Sequence, residues 1–343
     1  MRDPTEILKD VPTIESRLSR QKLSYYLLGK KIYFILNSNA KSGNVSSIIK
    51  SLSKSFPLYS FNIILSSATK VATELTRDIL SKDSLFIVMG GDGTINNAVQ
   101  YLVNSPATFG LIPKGTANDL ATYFGIPTNI KKALKLISRG ITTRLDTVKV
   151  NAHHLLTIGS IGFPSLVADT VNKFKAGGMV QRFFHQYIFR SGIYKIFAFG
   201  LLLLKGSTVA RHRGRITIDE NPFYEGDFVA VFFGKQSFLG KSFCPLPRMK
   251  HSDPYLMISV LKFTNLRQLL KDMYQLGAGG SERVANLLIG SGQSFSIETE
   301  KFQHLLADGE ILDFDDEFCG KRVPQAVQLL VPPTLSKFSE VSE

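Results

Sequence analysis

The stretch from Leu85 to Val99, LFIVMGGDGTINNAV, places the strongest constraint on the fold of this chain. Five apolar residues at 85–89 predict a buried strand, and helical spacing resumes at Ile95. Between them lies GGDGT at 90–94, whose glycines allow a positive φ and a close approach of the backbone to a ligand. The N–H groups that begin the following helix suit an anion such as phosphate. An ordinary tight turn is the alternative, but three glycines around one Asp favour a phosphate site.

Strands and helices alternate through the first half of the chain. Strands are predicted at 31–36, 61–66, 85–89 and 108–112, and helices at 68–80, after GGDGT and at 130–139. This alternation predicts a doubly wound α/β domain with a parallel sheet and helices on both faces. Polar loops with glycine follow three strands, at 37–43, 90–94 and 113–119. Because ligands bind at the carboxyl ends of such strands, we expect the three loops to gather at one edge.

Short strands with turn signals replace this alternation after Asp146. The predicted strands lie at 147–150, 155–161, 215–218, 227–233, 256–261, 294–298, 304–307 and 310–314, and helices at 181–204 and 266–274. The segment 326–331 is expected to return to the first domain. The predicted organisation is an extension at 1–30, an α/β domain at 31–146 with a return at about 325–343, and a β-rich, sandwich-like domain at 147–324.

The charge of the chain is strongly basic, with a formal net charge of +13. Such a balance implies an anionic partner. From Thr170 to Arg215 there are nine Lys or Arg and no Asp or Glu, interleaved with aromatic residues. This segment is either a core helix with a solvated basic face or an amphipathic surface against anionic lipid. Nucleic acid is a third option, but no recognised nucleic-acid motif accompanies the charge.

The hydrophobic runs and the cysteines constrain the location of the protein. The longest apolar run, 196–204, is too short to cross a bilayer, which takes about 20 residues. Cys244 and Cys319 have no metal-ligand spacing and are expected to be reduced thiols. We therefore expect a cytoplasmic protein that associates peripherally with the inner face of the membrane, and we keep a homodimer open.

Three further loops can carry chemistry. In PKGTAND at 113–119, Thr116 offers a hydroxyl to phosphate, and Asn118 or Asp119 can cap the next helix. In LADGE at 306–310, Asp-Gly is either a plain hairpin turn or a carboxylate site that faces the loops of the first domain. The segment 234–242 resembles a P-loop, but five residues separate its glycines where a P-loop has four, so we reject that assignment.

Taken together, GGDGT at 90–94, PKGTAND at 113–119 and ADGE at 307–310 resemble the diacylglycerol kinase catalytic-domain family, which includes sphingosine kinases and bacterial lipid kinases. The segments 37–43, 125–140 and 160–169 extend the resemblance over about residues 31–331. It implies a nucleotide-binding α/β domain, a β-rich domain, and an active site in the cleft between them. GGDGT alone also occurs in NAD kinases.

The resemblance assigns roles to individual residues. Asp308 matches the proposed general base, and Asp92 is a second candidate for that role. The residues that the family implies at ATP and its Mg²⁺ are Asn37, Lys41, Gly43, Gly91, Gly93, Thr94, Gly115, Thr116, Asn118, Asp119, Asp146 and Glu310. A structural magnesium of some bacterial members is expected at Asp253, with Lys250 and Tyr255. Two departures weaken these assignments, because Ser38 stands where the family has Pro, and Pro254 follows the metal aspartate where the family has Gly.

The resemblance implies an ATP- and Mg²⁺-dependent kinase that phosphorylates a hydroxyl of a membrane lipid. The acceptor stays open between diacylglycerol, a sphingoid base, ceramide and phosphatidylglycerol. The alternatives are a kinase for a soluble acceptor such as NAD, and a non-catalytic lipid- or nucleotide-binding protein with the same fold. An anionic membrane surface is the expected partner, and nucleic acid is not expected.

Overall fold

The computed structural model describes residues 27, 29–37, 61–66, 77–115, 117–176, 200–202, 207–239, 243–278 and 280–333. These residues form one mixed sheet of 13 strands with helices packed against it. The sheet has a parallel part, built from the first half of the chain, and an antiparallel part, built from the second.

The parallel part has four strands in the order β2-β1-β3-β4. Their bounds are β1 (Lys31–Asn37), β2 (Phe61–Ser66), β3 (Ser84–Gly90) and β4 (Thr108–Pro113). Strands β3 and β4 are buried along their whole length, as the apolar runs in the sequence require for central parallel strands. Leu36 lies opposite Met89, and Gly90 opposite Pro113, so the strands end level. The predicted common edge is therefore confirmed for β1, β3 and β4.

Three helices accompany these strands: α1 (Asp92–Leu102), α2 (Asp119–Tyr123) and α3 (Ile130–Arg139). Helix α1 begins at Asp92, three residues before the predicted Ile95, so GGDGT contributes its first turn. Helix α3 has conventional ends, since Asn129 accepts a hydrogen bond from the Lys132 N–H and Gly140 adopts a left-handed conformation. Of the predicted helix at 68–80, only the last residues are described, and Arg77–Ile79 form a 3₁₀ turn.

The antiparallel part runs in the order β11-β10-β9-β7-β12-β13. The strands of the second half are β5 (Thr142–Val150), β6 (His153–Leu155), β7 (Ile158–Gly162), β8 (His212–Ile218), β9 (Asn221–Gly234), β10 (Leu256–Lys262), β11 (Leu287–Gly292), β12 (Ser294–Ala307) and β13 (Glu310–Leu330). Strand β8 pairs with both β9 and β12, and β5 pairs with β13 and β6. Two α-helices, α4 (Phe163–Ala176) and α5 (Leu266–Gly277), and two 3₁₀ turns, Ser207–Ala210 and Ser281–Arg283, also lie in the described second half.

Several predicted elements differ from the observed ones. The predicted strand at 155–161 is divided into β6 and β7, whereas 294–298 and 304–307 belong to the single strand β12. Register shifts in β12 and β13 explain the second error, because a bulge interrupts the alternation of side chains without ending the strand. Strand β11 and helix α4 were not predicted. The predicted helix at 181–204 lies outside the described residues except for 200–202, which are helical.

The two parts of the sheet are joined through β13. Gln328 and Leu329 pair in parallel with Thr108 and Phe109 of β4, while the rest of β13 pairs with β5 and β12. The domain boundaries predicted near 146 and 325 stay predictions, because β5 runs across residue 146 and β13 runs across residue 325.

The apolar core follows the sheet on both sides. Phe34, Phe86 and Phe109 are fully buried around the parallel strands. In β9, Phe232 packs toward α4 and α5, whereas its neighbour Phe233 packs into a second layer with Phe295 and Phe318. Successive strand residues point to opposite faces, so one strand contributes to two cores. The antiparallel strands of the second half thus carry apolar packing on both faces, and the sandwich-like arrangement stays a prediction.

Candidate active site

The three motifs found in the sequence meet at one place in the fold. A Cβ atom added to Gly91 would lie 2.9 Å from the Cα of Gly115, so GGDGT and PKGTAND are in backbone contact. A Cβ atom on Gly93 would collide with the Glu310 carboxylate of the ADGE hairpin. The edge of the parallel strands therefore faces a hairpin from the second half of the chain.

The backbone conformations of the GGDGT glycines differ from the predicted ones. None of Gly90, Gly91 and Gly93 has a positive φ, and Gly91 is extended with φ −93° and ψ −172°. Their small size is what matters, because Gly90 packs against the side chain of the buried Thr94 and the other two approach neighbouring loops. The prediction of positive φ is wrong, and close approach of the backbone explains the motif.

Asp92 links the first two loops. Its carboxylate accepts hydrogen bonds from the N–H groups of Asn118 and Asp119, both at 2.8 Å. Of the two residues predicted to cap α2, Asn118 occupies the N-cap position, but its side chain makes no capping hydrogen bond and the Asp92 carboxylate caps the helix instead. Asn118 adopts a left-handed conformation. Its side-chain oxygen accepts a hydrogen bond from the Gly115 N–H, and its side-chain N–H donates to the Gly115 carbonyl. Burial raises the pKa of Asp92, although the two backbone donors act in the opposite direction.

Asp308 lies in the turn between β12 and β13. Ala307 pairs with Glu310, and both Asp308 and Gly309 have positive φ, which is the two-residue hairpin predicted for Asp-Gly. The side chain is buried and points toward the first half of the chain, where Asn96 of α1 donates its side-chain amide at 2.8 Å. The hairpin and the carboxylate site, which the sequence left as alternatives, are thus the same feature.

Three further donors surround Asp308. The N–H of Leu156 donates at 3.0 Å, the N–H of Thr157 at 2.8 Å and the hydroxyl of Thr157 at 2.6 Å. Burial raises the pKa of Asp308, and the hydrogen bonds from Thr157 and Asn96 partly offset this effect. Sequence reasoning missed Asn96 and Thr157, because nothing in the sequence shows which polar residues will face Asp308.

Asp146 lies at the centre of a second buried polar cluster. Its carboxylate accepts from the guanidinium of Arg322 at 2.6 Å and from the Gln325 N–H at 2.9 Å. The ammonium of Lys235 lies 3.4 Å from the same carboxylate. Burial lowers the pKa of Lys235, and the charge of Asp146 opposes this effect. The sequence identified Asp146 but neither of the two cations.

The turn predicted to hold a structural magnesium does not fit a metal ion. The carboxylate of Asp253 accepts from the Lys250 N–H at 2.9 Å, and the Lys250 carbonyl accepts from the Asp253 N–H at 3.1 Å. The carbonyls of Asp253 and Tyr255 accept from the Lys235 ammonium at 2.5 and 2.8 Å. The Lys235 ammonium thus lies where a cation bound to the Asp253 and Tyr255 carbonyls would lie.

Some of the predicted site residues lie outside the described parts of the chain. Lys41, Gly43 and Thr116 are not among the described residues, and of Asn37 only the backbone is described, opposite Ser66 at the end of β1. The roles assigned to the site residues therefore stay predictions.

The described part of the basic segment 170–215 is rich in ion pairs. Lys173 pairs with Asp169 at 2.7 Å, and Arg211, Arg213 and Arg215 pair with Asp227, Glu300 and Glu225. These acidic partners lie outside the segment in sequence, which is why the sequence alone overstated its charge. No helix among the described residues has the length and apolar character needed to span a membrane.

Comparison with known proteins indicates the family of this chain. The family model for the diacylglycerol kinase catalytic domain matches residues 31–150. "Probable lipid kinase YegS-like" of Citrobacter koseri is 30% identical over 257 residues, which cover 72% of this chain and 78% of that protein. "Diacylglycerol kinase" of Mycobacterium tuberculosis H37Rv is 26% identical over 253 residues, covering 72% and 76%. An uncharacterized Synechocystis protein is 30% identical over 171 residues, and the match spans 46% of this chain and only 40% of that relative.

A solved structure gives the same result. A Bacillus anthracis str. Sterne protein assigned as a diacylglycerol kinase superposes with a TM-score of 0.69 at 26% identity, covering 89% of this chain and 98% of that one. The fold is thus an α/β nucleotide-binding part followed by a β-rich part, and the relatives support a kinase. The chain belongs to the diacylglycerol kinase catalytic-domain family.

Proposed function

We propose that this protein is an ATP-dependent lipid kinase that transfers the γ-phosphoryl group of ATP to a hydroxyl of a membrane lipid, either diacylglycerol-like or sphingoid- or ceramide-like. The observation that carries the proposal is the contact of all three motifs, with Asp308 held against α1 by Asn96. The active site would then lie in the cleft between the α/β and the β-rich parts.

The nucleotide would bind at the edge formed by the first two loops. Gly91 precedes α1 and has no side chain to cap it, so phosphate can approach the first turn of an 11-residue helix. We assign Gly91, Gly93, Thr94, Gly115 and Thr116 to the phosphates. Asn37, Lys41 and Gly43 would line the rest of the nucleotide site, and Glu310, which packs against Gly93, would lie at its entrance.

Mg²⁺, when bound with ATP, would neutralise charge on the phosphates. Asp92 and Asp146 already accept hydrogen bonds from protein donors. We therefore assign them the task of holding the loops and strands of the site in place, and Asp92 stays the second candidate for the general base.

Asp308 would act as that base. The hydroxyl oxygen of the lipid forms a bond to the γ-phosphorus, the bond from that phosphorus to the β–γ bridging oxygen breaks, and ADP leaves with the electron pair. The hydroxyl proton moves to the Asp308 carboxylate. A carboxylate has about four lone-pair sites, and four donors already surround Asp308. The substrate hydroxyl must therefore displace one donor, and the Thr157 hydroxyl can rotate away whereas the backbone N–H groups cannot.

The experiment that tests this function is a panel of acceptors incubated with radiolabelled ATP and Mg²⁺. Diacylglycerol, sphingosine, ceramide and phosphatidylglycerol are compared with NAD, and products are separated by thin-layer chromatography. Labelling of one lipid class supports the proposal, whereas labelling of NAD alone supports a kinase for a soluble acceptor. Binding of ATP without labelling of any acceptor supports a non-catalytic protein.

We also propose that the protein docks peripherally on the anionic inner face of the membrane through the segment 170–215. Basic and aromatic residues of that segment carry the proposal, although the arginines at 211, 213 and 215 are paired with acidic groups. Co-sedimentation with phosphatidylglycerol vesicles, but not with phosphatidylcholine vesicles, is expected. Equal recovery with both would contradict it, and steeply salt-dependent affinity for DNA or RNA would favour the nucleic-acid alternative.

A further inference from the structure

Lys235 follows directly on strand β9 and is buried. Burial is rare for a lysine unless its charge is paired. Its side chain is 3% exposed, and the neighbouring Asp146 side chain is 8% exposed. A buried ammonium is tolerated only when its charge and its three donors are satisfied. Three oxygens meet this demand, from the carbonyls of Asp253 and Tyr255 and from the carboxylate of Asp146.

These three oxygens are of the kind that a hard cation prefers. Mg²⁺ binds carboxylates and backbone carbonyls, but it requires near-octahedral geometry and usually retains several waters. A magnesium ion bound to these oxygens would lie within a few ångströms of the Lys235 ammonium, and two positive charges so close in a buried site repel each other strongly. The ammonium and a magnesium ion therefore compete for the same three oxygens.

We propose that the ammonium of Lys235 is a built-in cation that joins Asp146 to the turn at 250–255, in place of a structural magnesium ion. The order of this turn is therefore independent of divalent metal. The inference concerns the architecture of the chain and holds whichever acceptor the enzyme phosphorylates.

The contacts of the turn explain why such a cation matters. Tyr123, at the end of α2, donates its hydroxyl to the Met249 carbonyl at 3.1 Å, and the ring of Phe124 packs on His251. Helix α2 begins at Asp119, whose N–H donates to the Asp92 carboxylate. Lys235 thus positions the 250–255 turn against the nucleotide loops, and Asp146 connects the same cation to Arg322 of β13.

Hydrogen–deuterium exchange of the full chain tests the proposal without any variant. The peptide covering residues 248–256 is followed by mass spectrometry in EDTA and in excess Mg²⁺, in both cases without nucleotide. We expect the same exchange rate in the two conditions. Slower exchange in Mg²⁺ than in EDTA would overturn the proposal, because it would show a metal ion that orders the turn.

A pair of lysine variants tests the role of the ammonium itself. Lys235→Met keeps most of the length of the side chain but removes its charge, and we expect exchange in the 248–256 peptide to rise about tenfold or more in EDTA. Lys250→Met is the matched control, because it removes an exposed ammonium from the same turn and leaves the backbone carbonyls in place. We expect wild-type exchange for this control. Wild-type exchange in Lys235→Met, or an equal rise in both variants, would contradict the proposal.

Discussion

Asn96 donates its side-chain amide to the carboxylate of Asp308 at 2.8 Å, across 212 positions of sequence. This bond connects the helix that begins in GGDGT to the hairpin of ADGE, and it is buried. It therefore fixes the distance between the part of the chain assigned to the nucleotide and the carboxylate assigned as the base.

The first prediction concerns that bond. Asn96→Ala leaves one lone pair of a buried carboxylate without its donor, which costs about 1–3 kcal/mol in the free energy of unfolding. We also expect kcat/KM for the lipid acceptor to fall, because Asp308 loses its link to α1. Denaturant unfolding and steady-state kinetics measure the two effects. Asn97→Ala, a half-buried neighbour on the same helix, is the control and should lower neither quantity to the same extent.

A second prediction concerns the pH dependence of the reaction. A general base must be unprotonated, and burial holds the pKa of Asp308 above its ordinary value of 3.8. The acidic limb of the kcat/KM profile should therefore lie above that value. The Thr157 hydroxyl lowers the pKa of Asp308, so Thr157→Val should move the limb to higher pH. Thr142→Val, a similar change on β5, should leave it in place, and an unmoved limb in Thr157→Val would argue against Asp308 as the titrating base.

The third prediction separates two glycines of the GGDGT motif. A Cβ on Gly91 meets the backbone of Gly115, which cannot yield without moving the loop, whereas a Cβ on Gly93 meets the end of the flexible Glu310 side chain. Gly91→Ala should therefore lower the free energy of unfolding by about 1–3 kcal/mol and weaken ATP binding. Gly93→Ala should unfold much more like the wild type, because Glu310 can rotate. Equal destabilisation by both changes would show that steric contact with Gly115 is not the constraint.

Much of the fold could be predicted from the sequence because its signals are local. Apolar runs such as 85–89 and the polar loops after them define the parallel strands and their common edge. Helix α4 was missed, although Pro164 in its first turn is a typical start signal and Val167 and Val171 share its buried face. Its apolar residues follow directly on those of β7, which hides the change of period.

The site was predictable only where single motifs define it. Asp308 and Asp92 lie in short patterns, but their partners Asn96, Thr157 and Asn118 depend on contacts between distant segments. Lys235 shows the same limit, because it lies in the segment 234–242 that was rejected as a P-loop and its role depends on Asp146 and the 250–255 turn. A buried lysine cannot be distinguished from an exposed one before the fold is known.

The donors around Asp308 affect the folding of Asp308→Asn as well as its activity. An asparagine amide would direct N–H groups at donors that now bond to the carboxylate. We expect it to fold with a lower free energy of unfolding, so its folding and ATP affinity must be measured alongside its activity. Asp316→Asn, an exposed change on β13, is the control for the loss of one negative charge.

The most direct test of the proposed function is transfer of radiolabelled phosphate from ATP to the preferred lipid acceptor by wild type, Asp308→Asn and Asp316→Asn. We predict that Asp308→Asn retains ATP binding but loses at least about a hundredfold in turnover, while Asp316→Asn matches the wild type. Wild-type turnover by a folded Asp308→Asn variant would contradict the assignment of Asp308 as the base.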